Sequence, residues 1–387
     1  MSYKSFEDFY KDATIKHLVL FAHGDYLISP PFCTDKCKEY GNVLVYKDGI
    51  ITFVPIDTPP ATSKYNSMVS IGNSVYFAPY GIWDSFNTVL ELNMDTLLPT
   101  YHTVNSTGKG QFYNMATDGV TAFAAPLGYE PVSFCLFIKE GKVKQIAVPE
   151  SPALKRHMGS VFLNGNYYSP PRGETLDYNC ILKFNPNTES VTMIEVADLP
   201  QSKRKYSDFI AVGNKLYGLP FGREQYLQHM LVLDTTDDSV ELVELNVPQF
   251  MKKYNAGVVL DNVIIAMPYG HKEDGDANYG LVFDTTTYQH STFDIGEAFG
   301  GKYRFQCGTE FNGLAVFLPA GAPAAPIIAV DKLGNIVYKK NIPEYVIGRP
   351  LVHNDMIYSI AYHIETKTHY MFTLDKDFNT TYISIDV

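Results

Sequence analysis

The 387-residue chain holds one tryptophan, Trp83, and five cysteines, Cys33, Cys37, Cys135, Cys180 and Cys307. A sparse, odd set of thiols in a chain of this length excludes a disulfide framework as its organising device. Cys33 and Cys37 are close enough in sequence to pair or to share a metal, but no second Cys/His pair stands near them. A closed zinc site needs four ligands, so no metal is expected. Positive charge is also short: 31 Lys and Arg face 42 Asp and Glu, a formal net charge of −11. General binding to DNA or RNA, which draws on a basic surface, is disfavoured. No apolar run approaches the roughly 18 residues of a membrane span, and the first residues, Met1 to Phe9, lack the basic and apolar regions of a signal peptide. The expected location is therefore cytoplasmic or within an assembled particle. Gly-x-Ser-x-Gly, His-Glu-x-x-His, P-loop and sialidase-type Asp-box motifs are absent, so neither a catalytic residue nor a cofactor is indicated by motif.

What the chain has in quantity is 28 Tyr, 24 Phe, 28 Gly and 23 Pro, the residues of strands and turns. They recur in register. Val212–Gly222 has counterparts at Ile71–Gly81 and Leu260–Gly270, each a turn, an aromatic or aliphatic strand, and Pro-aromatic-Gly. Weaker copies start at His23, Thr117, Leu163 and Phe311, and an eighth at His353 replaces the proline with Ala361. The turn residues Gly24, Asn73, Gly119, Gly165, Asn214, Asn262, Gly313 and Asp355 stand 42 to 51 positions apart. A second hairpin follows in each unit, as in Met230–Asp234 and Ser239–Leu245 around Thr235–Asp238. Four strands per unit of this length predict an all-β, eight-bladed propeller, with a seven-bladed ring or a large β-sandwich or barrel as the alternatives. The blades are expected at 16–59, 60–107, 108–150, 151–200, 201–248, 249–298, 299–344 and 345–387. Residues 1–15 are expected as a short helical extension, from the spacing of Phe6, Phe9 and Tyr10. Contiguous blades leave ring closure to packing between the first and the last.

The segment Phe184-Asn185-Pro186-Asn187-Thr188-Glu189-Ser190-Val191 and the repeated Pro-aromatic-Gly resemble the kelch and galactose-oxidase class of propellers, at the level of architecture, over about residues 16–387. The chain departs from kelch in lacking the Gly-Gly doublet after the second strand and the Trp of the fourth. The resemblance implies a fold and not a function, because propellers serve catalysis, scaffolding and binding alike.

Loops that vary on a regular scaffold are where binding usually resides. They fall between the second and third strands of each unit, as at Trp83–Asn87, Glu174–Asp177, Arg223–Tyr226 and His271–Asp276. On the same face, just before each innermost strand, stands a cation: Lys16, Lys64, Lys109, Arg156, Lys205, Lys253, Lys302 and Arg349. Aromatic or His residues follow several of them, including His17, Tyr65, His157, Tyr206, Tyr254 and Tyr303. A ring of cations at one channel mouth would concentrate positive potential there despite the net charge, and Lys or Arg beside Tyr suits carboxylates, sulfates or phosphates. The binding residues expected are Lys64, Arg156, Lys205, Tyr206, Lys253, Tyr254, Lys302, Tyr303 and Arg349. The ordinary reading of such lysines is surface chemistry, neutralised by acidic loops on the same face. Asp274, Asp276 and Asn278 alternate as calcium ligands would, but Tyr279 replaces the needed Gly.

The leading expectation is a non-enzymatic binding or assembly module that docks a partner protein or an anionic ligand on the long-loop face, including a structural role in a larger particle such as a virion. The alternative is a polysaccharide lyase or glycosidase acting on an acidic glycan at the channel mouth, with a His base beside Tyr and Arg.

Overall fold

The computed structural model describes residues 13–385 apart from 83, 107, 129–131, 150–155, 224–226, 271–277, 297–304, 321–325 and 343. The helix expected within residues 1–15 lies almost wholly outside that set, and the described Ala13 to Ile15 are not helical. The described residues form eight antiparallel sheets, each from consecutive strands. Seven have four strands, and the eighth has five because its innermost strand is split into Tyr345–Ile347 and Leu351–His353. The chain is an eight-bladed β-propeller.

The hairpins close where the sequence supplies residues that tolerate positive φ. Gly24, Gly72, Gly213, Asn164, Asp261, Asn312 and Asn354 all adopt it in the turns between first and second strands. At the opposite end of that strand pair the repeated proline does a second job. Pro79, Pro220, Pro268 and Pro319 lie opposite Tyr65, Tyr206, Tyr254 and Phe305, the aromatic residues that open the inner strands of blades 2, 5, 6 and 7. A bulge follows each aromatic immediately. An extra residue in one strand re-aims its side chains, and here Asn66, Asp208, Asn255 and Gln306 reach other blades.

Eight apolar cores stand between adjacent blades. Tyr65, Phe77 and Phe86 of blade 2 pack on Ile28, Val43 and Val45 of blade 1; Tyr206 and Leu231 of blade 5 pack on Tyr168 and Ile181 of blade 4. The ring is completed by Leu20, Leu27 and Leu44 of blade 1 against Ile360, Met371 and Ile385 of blade 8. Closure of the eighth junction excludes a seven-bladed ring. Among the described residues no helix is long and apolar enough to cross a membrane.

A backbone ladder runs around the ring at the face carrying the blade links. Phe32 N–H donates to Lys16 C=O, Lys64 N–H to Phe32 C=O, Tyr80 N–H to Lys64 C=O, and Gln111 N–H to Tyr80 C=O. It continues through Leu127, Arg156, Arg172, Lys205, Phe221 and Lys253 to Tyr269, with bonds of 2.7–3.1 Å. Each rung joins the residue before an inner strand to the residue after a repeated proline, so the ladder locks one blade to the next. Buried backbone groups must be paired, and here the pairing also sets blade spacing.

Candidate functional site at the propeller axis

The ladder gives a register for the cations that the sequence spacing only approximated. The position before each inner-strand aromatic is occupied by Lys16, Lys64, Gln111, Arg156, Lys205 and Lys253 in blades 1 to 6. In blade 3 this position belongs to Gln111 and not to Lys109. In blade 8, where Ile347 pairs with Ala361 as Tyr206 pairs with Pro220, it belongs to Val346, and Arg349 stands three residues further on. Lys302 and Tyr303 lie outside the described residues.

Most of these side chains turn into the junction between blades. Lys64, 0% exposed, donates to Tyr40 C=O at 3.1 Å in the loop of blade 1 and to Thr58 Oγ1 at 3.3 Å. Lys205, also 0% exposed, donates to the Leu176 and Tyr178 carbonyls at 2.8 Å each in the loop of blade 4. Lys253 donates to Phe250 C=O at 2.7 Å and lies over that ring. The Arg156 guanidinium bonds Val132 C=O and, at 3.1 Å, Pro149 C=O. Gln111 performs the same task without a charge, its amide donating to Phe86 C=O at 2.9 Å. Burial lowers the Lys205 and Lys253 ammonium groups to about 8, with Asp177 opposing the shift at Lys205; it lowers Lys64 as well. Tyr206 and Tyr254 are buried in the cores of their junctions.

His17 and His157, which follow two of these cations, are held in the same way. His17 Nδ1 contacts Pro30 C=O at 3.1 Å and Nε2 contacts Tyr40 Oη at 2.9 Å. His157 repeats this with Pro170 C=O at 3.0 Å and Tyr178 Oη at 2.8 Å. Each ring donates from Nδ1 and accepts at Nε2, which fixes the neutral tautomer. Burial, aided at His17 by His369 and Lys16 and at His157 by Arg156, lowers both to about 3. They sit in different junctions and do not meet at the channel mouth.

Instead, the bulge residues meet at the axis. Asn66 of blade 2 donates to Tyr113 C=O at 3.2 Å, and Asn255 of blade 6 donates to Gln306 C=O at 3.0 Å, each tying its inner strand to the next. Gln306 of blade 7 donates to the Tyr113 hydroxyl of blade 3. Blades 3 and 7 are opposite in an eight-membered ring, so this bond crosses the channel near the link face. Arg349 of blade 8 lies over the Tyr113 ring, 5.0 Å from its centre. Asp208 of blade 5 reaches across blade 4, where Gly159 leaves the room: a Cβ there would fall 2.1 Å from the Asp208 carboxyl carbon. Its carboxylate accepts from Phe209 N–H at 2.8 Å and from Asn114 of blade 3 at 3.5 Å.

The electrostatics of this group are coupled. Burial raises Asp208 to about 6, against the lowering pull of Phe209 N–H, Arg349 and Asn114. Burial acts to lower Arg349, but Tyr113, Cys307 and Asp208 outweigh it and the net shift is upward. Burial raises the Cys307 thiol. The arrangement offers a permanent cation on an aromatic face, amide donors, and one carboxyl that changes protonation near neutrality. Of the described binding residues expected from sequence, Arg349 alone is brought into this group; Tyr113, Asn114, Asp208 and Gln306 were not anticipated. The signal that could have found them is the polar residue two or three places after the ladder positions Lys64, Gln111, Lys205 and Lys253, in Asn66, Asn114, Asp208 and Asn255.

Among the described residues, no three His, Cys, Asp or Glu side chains cluster as a metal site would need. The acidic stretch of residues 274 to 278 is described only at Asn278.

No protein-family model matches the chain, and no curated protein matches it. Solved structures do. Dihydro-heme d1 dehydrogenase NirN, in complex with DHE, superposes with a TM-score of 0.60 at 11% identity, over 100% of this chain and 80% of that one. Apo AztD from Citrobacter koseri does so with a TM-score of 0.56 at 12% identity, over 96% and 95%. At such identities the likeness is one of fold.

Proposed function

We propose that the protein is a binding module that takes an anionic group, of a small ligand or of a partner protein, on its link face at the axial cluster. The observation carrying this reading is Arg349: among the described residues it is the expected cation that lies at the axis, over Tyr113, instead of being bonded to loop carbonyls of a junction. Arginine on an aromatic face keeps its planar fork available for bidentate contact with a carboxylate or phosphate. Asn114 and Gln306 supply neutral donors beside it, and protonation of Asp208 would lower the competing negative charge. NirN, a relative in fold, was solved in complex with DHE, which supports a ligand-handling use of this architecture. An assembly role in a larger particle would use the same face and its variable loops.

The test is calorimetric titration of the full chain with citrate and with inorganic phosphate as anionic probes and glycerol as the neutral control. Binding of one anion, weakened about tenfold or more by Arg349→Gln and tightened as pH falls through about 6, is expected from the loss of a charge-assisted pair. Equal binding by Arg349→Gln would overturn the assignment.

The enzymatic reading keeps one supporting observation, the elevated Asp208 beside Arg349 and Tyr113, a pairing of acid or base with cation that lyases use. Incubation with polygalacturonate, followed by ultraviolet absorbance of an unsaturated product and abolished by Asp208→Asn, would establish it; no product from the wild-type chain counts against it.

A further inference from the structure

Seven residues at the junction of blades 8 and 1 enclose a pocket of about 210 Å³: Lys16, His17, Tyr40, Asn42 and Phe53 of blade 1, with His369 and Ile385 of blade 8. This pocket has a structural cause. In blade 8 the second strand, Met356–His363, and the third, His369–Leu374, are joined by only five residues. In blades 1, 3 and 4 longer loops carry the carbonyls of Tyr40, Val132, Leu176 and Tyr178 that receive the next blade's cation; blade 8 has no loop of that length to present to Lys16. Consequently Lys16 N–H donates to His369 Nε2 at 3.0 Å, an imidazole standing in for the backbone acceptor of the ladder. The Lys16 ammonium makes no hydrogen bond among the described residues, and lies over the Tyr40 ring at 5.3 Å. The Asn42 amide, also lining the pocket, has no side-chain hydrogen bond among the described residues.

We propose that this seam pocket binds a small aromatic monocarboxylate. Lys16 and Asn42 supply one positive charge and one amide donor, a match for a carboxylate. The charge is single: His17 is held neutral by Pro30 C=O and Tyr40 Oη, the His369 Nε2 lone pair is engaged by Lys16 N–H, and the Cys37 thiol donates to Ile15 C=O at 3.2 Å. A dianionic phosphate would be left half compensated. Phe53, Ile385 and Tyr40 provide apolar walls, and since a cavity of about 150 Å³ accommodates benzene, this one has room for a ring and its carboxylate. The site is independent of the axial cluster.

The test uses benzoate, with benzamide as its uncharged counterpart, titrated into the full chain while the imidazole signals of the histidines are followed by NMR. Saturable benzoate shifts confined to His17 and His369, with affinity about tenfold or more above that of benzamide, are expected from one charge-assisted contact. Lys16→Met keeps the apolar stem and should bring benzoate down to the level of benzamide. Absence of saturable shifts, equal affinity for the two probes, or benzoate binding unchanged in Lys16→Met would each overturn the proposal.

Discussion

The junction between blades 4 and 5 and the junction between blades 8 and 1 are built from one plan with one part removed. At the first, Lys205 N–H enters the backbone ladder and its ammonium is enclosed by the carbonyls of Leu176 and Tyr178. At the second, Lys16 N–H finds an imidazole, and its ammonium has a pocket before it. The sequence difference is a loop of ten residues in blade 4 against five in blade 8. A buried ammonium without acceptors is costly, so where the loop exists the cation serves as a structural clip. Where the loop is missing, the same cation is left available for a ligand. Repetition sets the chemistry of the five described junctions from blade 1 to blade 6, and the place where it fails is where function has room.

The largest expected effect is at the seam itself. Gly348 approaches blade 1 so closely that a Cβ would sit 1.9 Å from Leu18 C=O. Gly348→Ala should prevent the ring from closing or cost several kcal/mol, read as loss of a cooperative melting transition. Gly159→Ala meets first the Asp208 side chain and not backbone, and should cost less.

Next come the two neutral histidines. Their folded pKa of about 3 lies below the ordinary 6.5, so as pH falls below 6.5 the unfolded chain takes up protons that the folded chain refuses. Stability should fall progressively from pH 6.5 toward 3, by a few kcal/mol, and His157→Asn should flatten that slope in chemical denaturation curves. Asp208 acts in the opposite sense: its folded value of about 6 against an ordinary 3.8 stabilises the fold below about pH 4 and loses that contribution as pH rises to 6. Asp208→Asn should remove this component and steepen the net acid dependence.

Removing the acceptor at the seam is a smaller change. His369→Ala leaves Lys16 N–H without its bond and should lower stability by about 1 kcal/mol. The corresponding rung at blade 5 uses backbone atoms alone and has no side chain whose removal would break it.

The blades, their number and their turns were legible because each copy of Pro-aromatic-Gly and each Gly or Asn turn reports a local backbone demand. The interblade clips were only half legible. Lys64, Arg156, Lys205 and Lys253 stand out in the sequence, but whether an ammonium faces solvent or a neighbour's carbonyl depends on loops that are distant in the chain. Blade 3 shows why spacing alone misleads: Lys109 is the visible cation, yet Gln111 occupies the position. The axial cluster was hidden for another reason. Bulges after Tyr206 and Phe305 aim Asp208 and Gln306 inward, and no residue in those strands announces a bulge. The kelch-like segment at Phe184 reported a hairpin common to many propellers and carried no family with it.

The account rests on the division between clip and ligand cation, and one paired measurement addresses it: the stability and the benzoate affinity of Lys205→Met beside those of Lys16→Met. Lys205→Met should lose about 1–3 kcal/mol by leaving two buried carbonyls unpaired and bind benzoate as the wild type does, while Lys16→Met should keep its stability within about 0.5 kcal/mol and lose benzoate. The reverse pattern, a stable Lys205→Met or a destabilised Lys16→Met that still binds, would contradict it.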